Sequence, residues 1–155
     1  MDIKFTYIDD PELKESICRK VLFDLPLWFG IPEANEHYAQ GVRAKPFVAV
    51  ILDGNIIGFA SIKETTKFTA ELYLIGLMAK YHWLGIGTRL ISFICKELKL
   101  QGYKLLQVKT LDETRESAEY EKSRRFYTKV GFIPVEAIKE IWGPENPCLI
   151  MVKVL

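Results

Sequence analysis

The chain has few of the side chains from which metal centres and disulfide frameworks are built. Its cysteines are an odd number without the paired spacing of a metal site, and they are Cys18, Cys95 and Cys148. We therefore expect reduced thiols rather than disulfides. The two histidines, His37 and His82, lie far apart in sequence and give a zinc site little support, so we expect no bound metal.

Long hydrophobic runs and a strong charge of one sign are also lacking. No apolar run approaches the roughly 18 residues that a membrane-spanning helix requires, and the first residues do not resemble a signal peptide. We expect a cytoplasmic protein without a membrane partner. The net charge of +1 is much smaller than the positive charge of most nucleic-acid-binding proteins, so we expect no nucleic-acid partner.

The composition suits one domain over residues 1–155. Hydrophobic residues make up 49% of the chain, enough for a substantial core. The charges are unevenly distributed, because residues 1–40 carry eight acidic and four basic side chains, a net charge of −4, which leaves +5 for residues 41–155. This asymmetry is typical either of a solvated charged face or of an acidic region that attracts a cationic ligand.

The most informative segment is a turn with two glycines, Gly85 and Gly87, between an apolar strand and an amphipathic helix. Glycines let the backbone approach a ligand closely, and the first N–H groups of a helix have no intrahelical partner. Together with the helix dipole, these groups predict a pyrophosphate site. Leu90 replaces the third glycine of a dinucleotide fingerprint and no P-loop lysine is present, so both of those nucleotide folds are disfavoured.

Strands and helices are predicted to alternate without repeats or linkers. The predicted strands are 3–8, 46–52, 55–65, 69–79, 104–110, 132–141 and 147–154, and the predicted helices are 11–23, 33–42, 85–100 and 117–130. Asp53-Gly54 between apolar runs indicates a hairpin. Gly102 and Gly131 follow predicted helices, where a residue that accepts positive φ is favoured.

Two segments carry a resemblance to a known family. Residues 77–87, LMAKYHWLGIG, resemble the acetyl-CoA signature of the GNAT superfamily of N-acetyltransferases, in which a strand precedes Arg/Gln-x-x-Gly-x-Gly/Ala. Residues 123–132, SRRFYTKVGF, are similar to the family's second signature, Ala-x-x-Phe-Tyr-x-x-x-Gly-Phe. The two signatures in this order are far more specific than either alone, and the match extends over about residues 46–155.

The resemblance implies an α/β (α+β) GNAT fold. Its central sheet would be mixed, mostly antiparallel and seven-stranded, with splayed middle strands and about four flanking helices. It also implies acetyl-CoA as the co-substrate, with the backbone of Leu77 and Ala79 holding the thioester. The pyrophosphate would be bound by residues of the glycine turn, namely His82, Trp83, Leu84, Gly85, Ile86, Gly87 and Thr88.

The chain departs from the family pattern at two positions. His82 stands where the family has Arg or Gln, and it would either donate to the pyrophosphate or be an ordinary surface histidine. Tyr120 stands where many members carry Asn, seven residues before the tyrosine of the second signature, and would either line the cofactor channel or pack.

Two residues are candidates for proton transfer. By resemblance, Tyr127 points its hydroxyl at the CoA sulfur, and a phenol with a pKa near ~10 stays protonated at neutral pH and can act as general acid. The alternative for Tyr127 is packing at the edge of the core. Glu71 corresponds to the catalytic glutamate of the histone-acetyltransferase branch and would act as general base, unless it is simply an exposed residue at the strand start.

The segment from Leu25 to Glu33 predicts a structured loop, because two prolines and a Trp-Phe-Gly triplet lie between helices. In the family this region shapes the acceptor site. Trp28 and Phe29 would therefore contact the substrate, or alternatively would plug the core.

These inferences together predict an enzyme that moves an acetyl group from acetyl-CoA to a small or peptide primary amine in a ternary complex. The acidic residues 1–40 favour a cationic amine. A non-catalytic acyl-CoA-binding sensor and a protein-interaction module on the same scaffold are the alternatives. The sequence leaves open the acceptor, the length of the acyl group and whether the protein is a homodimer.

Overall fold

The computed structural model describes residues 2–155, which form seven strands and five α-helices. The strands are β1 (Ile3–Tyr7), β2 (Phe47–Leu52), β3 (Asn55–Glu64), β4 (Thr69–Leu77), β5 (Leu105–Leu111), β6 (Ile133–Ile138) and β7 (Cys148–Val154). The helices are α1 (Pro11–Phe23), α2 (Pro32–Gly41), α3 (Ile86–Leu100), α4 (Ala118–Lys129) and α5 (Lys139–Trp142). Short 3₁₀ turns cover Val42–Ala44 and Ala79–Tyr81.

The strands are hydrogen bonded in the order β1-β2-β3-β4-β5-β7-β6. β2 pairs antiparallel with β1 and β3, and β7 pairs antiparallel with β5 and β6. β4 runs parallel to β5 over its first residues, from Thr69 opposite Leu105 to Leu72 opposite Val108. The predicted fold class, a mixed and mostly antiparallel seven-stranded sheet with flanking helices, is confirmed.

The chain divides into two compact units, and β4 contributes to both. The first unit consists of Met1–Lys63 and Tyr73–Ile94. Its core contains the buried face of α1 packed with β2 and β3, where the rings of Phe47 and Phe59 stack with centroids 4.9 Å apart. Burial of such large apolar side chains is the main source of stability in a unit of this kind.

The second unit consists of Glu64–Leu72 and Cys95–Leu155. Alternate residues of β5, Leu106 and Val108, are buried together with Met151 of β7. After α4 the chain turns at Gly131, whose φ of +103° is favourable only for glycine, and then enters β6. Lys153 of β7 donates from Nζ to the carbonyl of Val130, which fixes this turn against the sheet.

Charged side chains join α1 to α2 in the first unit. Arg19 Nη2 lies 2.5 Å from both Glu15 Oε1 and Glu36 Oε1, and Arg43 binds the other oxygen of Glu15. Arg43 also pairs with Glu12 at 3.4 Å. Two arginines therefore pair with three of the acidic residues among residues 1–40, which reduces the charge that this region presents to a ligand.

This network predicts a loss of stability in acid. Hydrogen bonding to Arg19, with a further contribution from Gln40, lowers the pKa of Glu36 from its ordinary 4.5 to about 2. Because the folded-state pKa is depressed, the stabilisation is complete above the unfolded pKa and is lost as the pH falls towards 2. Arg19→Gln should lower the Tm at pH 7 by roughly 2 °C and should flatten the decrease of Tm between pH 7 and pH 3.

Thermal unfolding followed by circular dichroism measures this effect. Lys20→Gln is the matched control, since it removes a positive charge from the next position of the same exposed helix end. A Tm that falls equally steeply between pH 7 and pH 3 in Arg19→Gln and in the wild type would contradict the prediction.

Most predicted elements are confirmed, with two differences at strand ends. β4 ends at Leu77 rather than at residue 79, because Ala79 starts a 3₁₀ turn and its N–H is bound by a side chain outside the sheet. The strand predicted over 132–141 ends at Ile138, and residues 139–142 form the single helical turn α5. No helix within residues 2–155 is long and apolar enough to cross a membrane.

Candidate functional site

The glycine turn in the first unit has the backbone conformation of a ligand cradle. Gly85 has a φ of +78° and open space where a side chain would begin, and α3 starts at the next residue. Arg89 donates its N–H to the carbonyl of Gly85 at 3.2 Å, which closes the first turn of the helix. The N–H groups of residues 86–88 precede the first intrahelical donor and are therefore available to an anion.

Side chains at this turn are divided between the core and the surface. Ile86 is buried and anchors the helix start, whereas Gly87 and Thr88 are half-buried. Gly87 lies in the helix without positive φ, so its conformation does not require a glycine.

Trp83 and Leu84 precede the cradle and are exposed. Trp83 has 86% of its surface accessible and a φ of +66°, a left-handed conformation that is strained for any residue with a side chain. Strain of this kind persists where the surrounding structure requires it, and it is concentrated at binding sites. The predicted contact of both residues with the pyrophosphate stays a prediction.

His82 is turned back towards the end of β4. Its Nε2–H donates to the carbonyl oxygen of Leu77 at 2.6 Å, because a carbonyl can only accept. Its ring meets the ring of Trp28 in a T-shaped contact with centroids 5.7 Å apart. In this conformation Nδ1 remains for a further hydrogen bond, and the predicted contact of His82 with a phosphate stays a prediction.

Asp24 contacts the turn that leads to the cradle, a contact that the sequence reasoning missed. It follows the last residue of α1, and its Oδ2 accepts a 2.7 Å hydrogen bond from the N–H of Ala79. Ala79 lies in the turn that connects β4 to the cradle. The two residues are 55 positions apart, and no local pattern in the sequence could have paired them.

The predicted acceptor loop is held by its own side chains in the first unit. Phe29 meets the ring of Tyr38 edge-on with centroids 6.1 Å apart, and its carbonyl accepts from Asn35 Nδ2 at 2.8 Å. The Oδ1 of Asn35 is buried and has no partner within residues 2–155. Trp28 and Phe29 are both half-buried, so the loop is structured as expected, and their contact with a substrate stays a prediction.

In the second unit, α4 positions Tyr127 in an aromatic setting. The ring of Tyr127 lies 5.6 Å from that of Phe126 and 5.5 Å from that of Phe132, and only 8% of the residue is exposed. Burial raises the pKa of the Tyr127 phenol, and the nearby Tyr120 adds to the increase. The hydroxyl therefore remains protonated throughout the physiological range, as a general acid requires.

α4 is capped at its start by a side chain and is joined to β5 by an arginine near its middle. The Ser117 side chain caps the first turn by accepting from the N–H of Tyr120 at 3.3 Å. Arg124 donates from Nη1 to the carbonyl of Leu111 at 2.6 Å, which joins the helix to the end of β5. Tyr120 itself is half-buried, so either of its predicted roles remains open.

Glu71 is buried near the start of β4, with 5% of its surface exposed, and is not the exposed strand-end residue of the alternative reading. Its Oε1 accepts from Gln107 Nε2 at 2.8 Å and lies 3.3 Å from Lys109 Nζ. The side chain thus joins β4 to β5 electrostatically. A role as general base stays a prediction, and the pairing with Lys109 could not be read from the sequence.

The candidate residues therefore fall into two groups, one in each unit. The first unit brings Trp28, His82 and Leu77 together beside the glycine cradle. The second unit holds Tyr127 and Tyr120 on α4 and Glu71 on β4. Within residues 2–155 no three His, Cys, Asp or Glu side chains are arranged to hold a metal ion.

Comparison with known proteins places these features in a family. The model of the acetyltransferase (GNAT) family matches residues 15–132, which include most of α1, Asp24 and the whole of α4 with Tyr127. No curated protein matches the chain.

Several solved structures share the fold. A candidate acetyltransferase of the GNAT family from Desulfovibrio desulfuricans has a TM-score of 0.83 at 22% identity, with 99% of each chain covered. The aminoglycoside 6'-N-acetyltransferase from Enterococcus faecium has a TM-score of 0.74 at 20% identity, covering 99% of this chain and 97% of that one. The PaiA N-acetyltransferase from Thermoplasma acidophilum, in complex with coenzyme A, has a TM-score of 0.74 at 19% identity over the whole of both chains.

Proposed function

Because the chain belongs to the GNAT family of acetyltransferases, we propose that it transfers an acetyl group from acetyl-CoA to a cationic primary amine by direct transfer in a ternary complex. The observation that carries the proposal is the cradle at the start of α3, where Gly85 adopts positive φ with open space where a side chain would begin, and where the first helical N–H groups have no intrahelical partner. This arrangement suits the pyrophosphate of coenzyme A, the ligand of the PaiA neighbour.

The reaction consists of one bond exchange and two proton transfers. The thioester supplies an activated acyl carbon, and the amine nitrogen forms a bond to that carbon as the carbon–sulfur bond breaks. The thiolate then needs a proton, which we assign to the hydroxyl of Tyr127, since burial keeps that group protonated. The amine nitrogen must lose a proton, which goes to solvent or, through water, to the carboxylate of Glu71.

Backbone groups at the end of β4 are assigned to the thioester and its pantetheine arm, as the family resemblance implies for Leu77 and Ala79. Two of these groups already have partners, since the carbonyl of Leu77 accepts from His82 and the N–H of Ala79 donates to Asp24. His82 and Asp24 therefore set the conformation of the chain between β4 and the cradle. A pantetheine that uses either group has to share it or displace the side chain.

The acceptor is proposed to be a cationic amine, such as a polyamine, an amino sugar or a lysine-like side chain. The net charge of −4 over residues 1–40 supports this class, as does the presence of an aminoglycoside acetyltransferase among the structural neighbours. Exposed opposite charges attract less strongly as the ionic strength rises, because salt screens them.

An acceptor panel tests the proposal. Release of free thiol from acetyl-CoA is followed with polyamines, amino sugars, lysine-containing peptides, neutral arylamines and anionic amino acids. We expect turnover with the cationic members and a KM for them that rises as NaCl is increased. Turnover confined to neutral or anionic amines, without salt dependence, would contradict the acceptor class. Binding of acetyl-CoA without thiol release for any amine would instead favour the non-catalytic sensor.

A further inference from the structure

We propose that Asp24 binds the acceptor amine in its ammonium form as it enters the site and so determines the preference for a cationic amine; before attack, the amine loses its proton to solvent or, through water, to Glu71, as in the proposed function. This inference deepens the proposed function and rests on it. Asp24 lies outside both family signatures of the chain, at the end of α1. Its hydrogen bond with Ala79 joins it to the turn after β4.

The first step of the argument is that the acidic excess of residues 1–40 is not equally available. Glu15 and Glu36 bind Arg19, and Arg43 holds Glu12 as well as Glu15. Asp10 caps the first turn of α1 by accepting from the N–H of Glu12. The three glutamates are therefore paired with arginines, and Asp10 serves as a helix cap. Asp24 has no arginine or lysine partner within residues 2–155 and accepts from a backbone N–H outside its own helix, that of Ala79.

The second step is the geometry of the Asp24 carboxylate. Oδ2 is fixed by the N–H of Ala79 at 2.7 Å, and within residues 2–155 no hydrogen bond to Oδ1 is present. A carboxylate oriented by one bond, with its second oxygen unused, is preorganised for a charged donor. Asp24 is half-buried, which strengthens its interaction with a cation relative to a fully exposed carboxylate.

The third step is the aromatic ring of Trp28, four residues further along the chain. Trp28 contacts the ring of His82, and His82 in turn holds the carbonyl of Leu77. Asp24 and Trp28 are thus both attached to the turn between residues 77 and 82, where the proposed function places the thioester. A carboxylate together with an indole is a combination that recognises ammonium groups, through charge and through the quadrupole of the ring.

Asp24→Asn tests the proposal, because Asn removes the charge and retains a side-chain oxygen for the N–H of Ala79. The probe is the cationic amine that the wild type turns over fastest in the panel. We expect its KM to rise at least roughly tenfold, with the KM for acetyl-CoA and the kcat within about threefold of the wild type. The salt dependence of the acceptor KM should largely disappear, and Asp24→Glu should restore part of the affinity.

Asp9→Asn is the matched control, since Asp9 is an exposed aspartate of the same acidic region and has no ion pair or hydrogen bond within residues 2–155. Its acceptor KM should stay within twofold of the wild type. If Asp24→Asn fails to fold, Asp24→Ser provides the same measurement with a shorter hydrogen-bonding side chain.

The outcomes separate this inference from the proposed function. A wild type that releases no thiol with any amine contradicts the proposed function. Two results with an active wild type overturn the assignment of Asp24 alone. One is an acceptor KM that is unchanged in Asp24→Asn. The other is a change in the KM for acetyl-CoA or in kcat as large as the change in the acceptor KM. A wild type that turns over only uncharged amines overturns it as well.

Discussion

Tyr127→Phe is expected to lower kcat by at least roughly tenfold while leaving the affinity for acetyl-CoA nearly unchanged. General-acid assistance typically accelerates a reaction about 10² to 10⁴-fold, on the order of 3 to 5 kcal/mol of barrier. Because water can also protonate the thiolate, the expected loss of kcat is given by its lower bound. Phenylalanine retains the ring contacts with Phe126 and Phe132, so the Tm should change little. A decrease in kcat without a change in binding identifies an interaction made only in the transition state.

The pH profile gives a second test of the same assignment. Because burial raises the pKa of Tyr127, the hydroxyl stays protonated up to and beyond the ordinary phenol value. The wild-type kcat should therefore show no decline between pH 7 and pH 9 that originates from this group.

Tyr103→Phe is the control, since it also removes one tyrosine hydroxyl, which donates to Glu64 at 2.6 Å on an exposed surface. Its kcat should match that of the wild type. If Tyr127→Phe keeps the full kcat and only loses thermal stability, Tyr127 is a packing residue and solvent protonates the thiolate.

Gly87→Glu should abolish most of the affinity for acetyl-CoA. The substitution places a bulky side chain and a negative charge in the first turn of α3, where the N–H groups are proposed to meet the pyrophosphate. Like charges about 4 to 8 Å apart at an effective dielectric constant of about 20 repel by roughly 2 to 4 kcal/mol, which weakens binding at least roughly 30-fold. Calorimetric titration with acetyl-CoA measures the change.

Gly87→Gln separates charge from bulk, because glutamine has nearly the same shape as glutamate. We expect Gln to weaken binding less than Glu, and the difference between them should shrink in high salt. Because the backbone of Gly87 does not have positive φ, neither substitution introduces backbone strain. A folded Gly87→Glu variant that binds acetyl-CoA as tightly as the wild type would show that the cofactor does not bind at this turn.

The cradle could be predicted from the sequence because it depends on neighbouring residues. Apolar periodicity gave the start of α3 to within one residue, and the positive φ predicted for Gly102 and Gly131 after two helices is present in the structure. The Asp53-Gly54 dipeptide between two apolar runs likewise predicted the turn between β2 and β3. These features are set by interactions within a few residues.

The partners of the site residues could not be predicted, because they depend on how distant segments pack. The pairing of Glu71 with Gln107 depends on the parallel register of β4 and β5, and that of Asp24 with Ala79 spans 55 residues. The predicted ends of β4 and β6 were wrong for a similar reason. The run at 132–141 is apolar enough to continue β6, but the chain forms the helical turn α5 at Lys139.

Residues 1–40 show why net charge alone does not predict which carboxylates can bind a cation. The sequence gives an excess of four negative charges over residues 1–40, but it does not show that Arg19 and Arg43 bind Glu12, Glu15 and Glu36. With those carboxylates paired, the attraction of a cation depends on individual residues such as Asp24.

The most direct test is to quantify both products of the proposed transfer in one reaction. The wild-type chain is incubated with acetyl-CoA and the cationic amine that gives the fastest thiol release, and mass spectrometry measures the acetylated amine. The account predicts one acetylated amine for each free thiol, with no thiol released in the absence of amine. Free thiol without acetylated amine, or tight binding of acetyl-CoA with neither product, would contradict it.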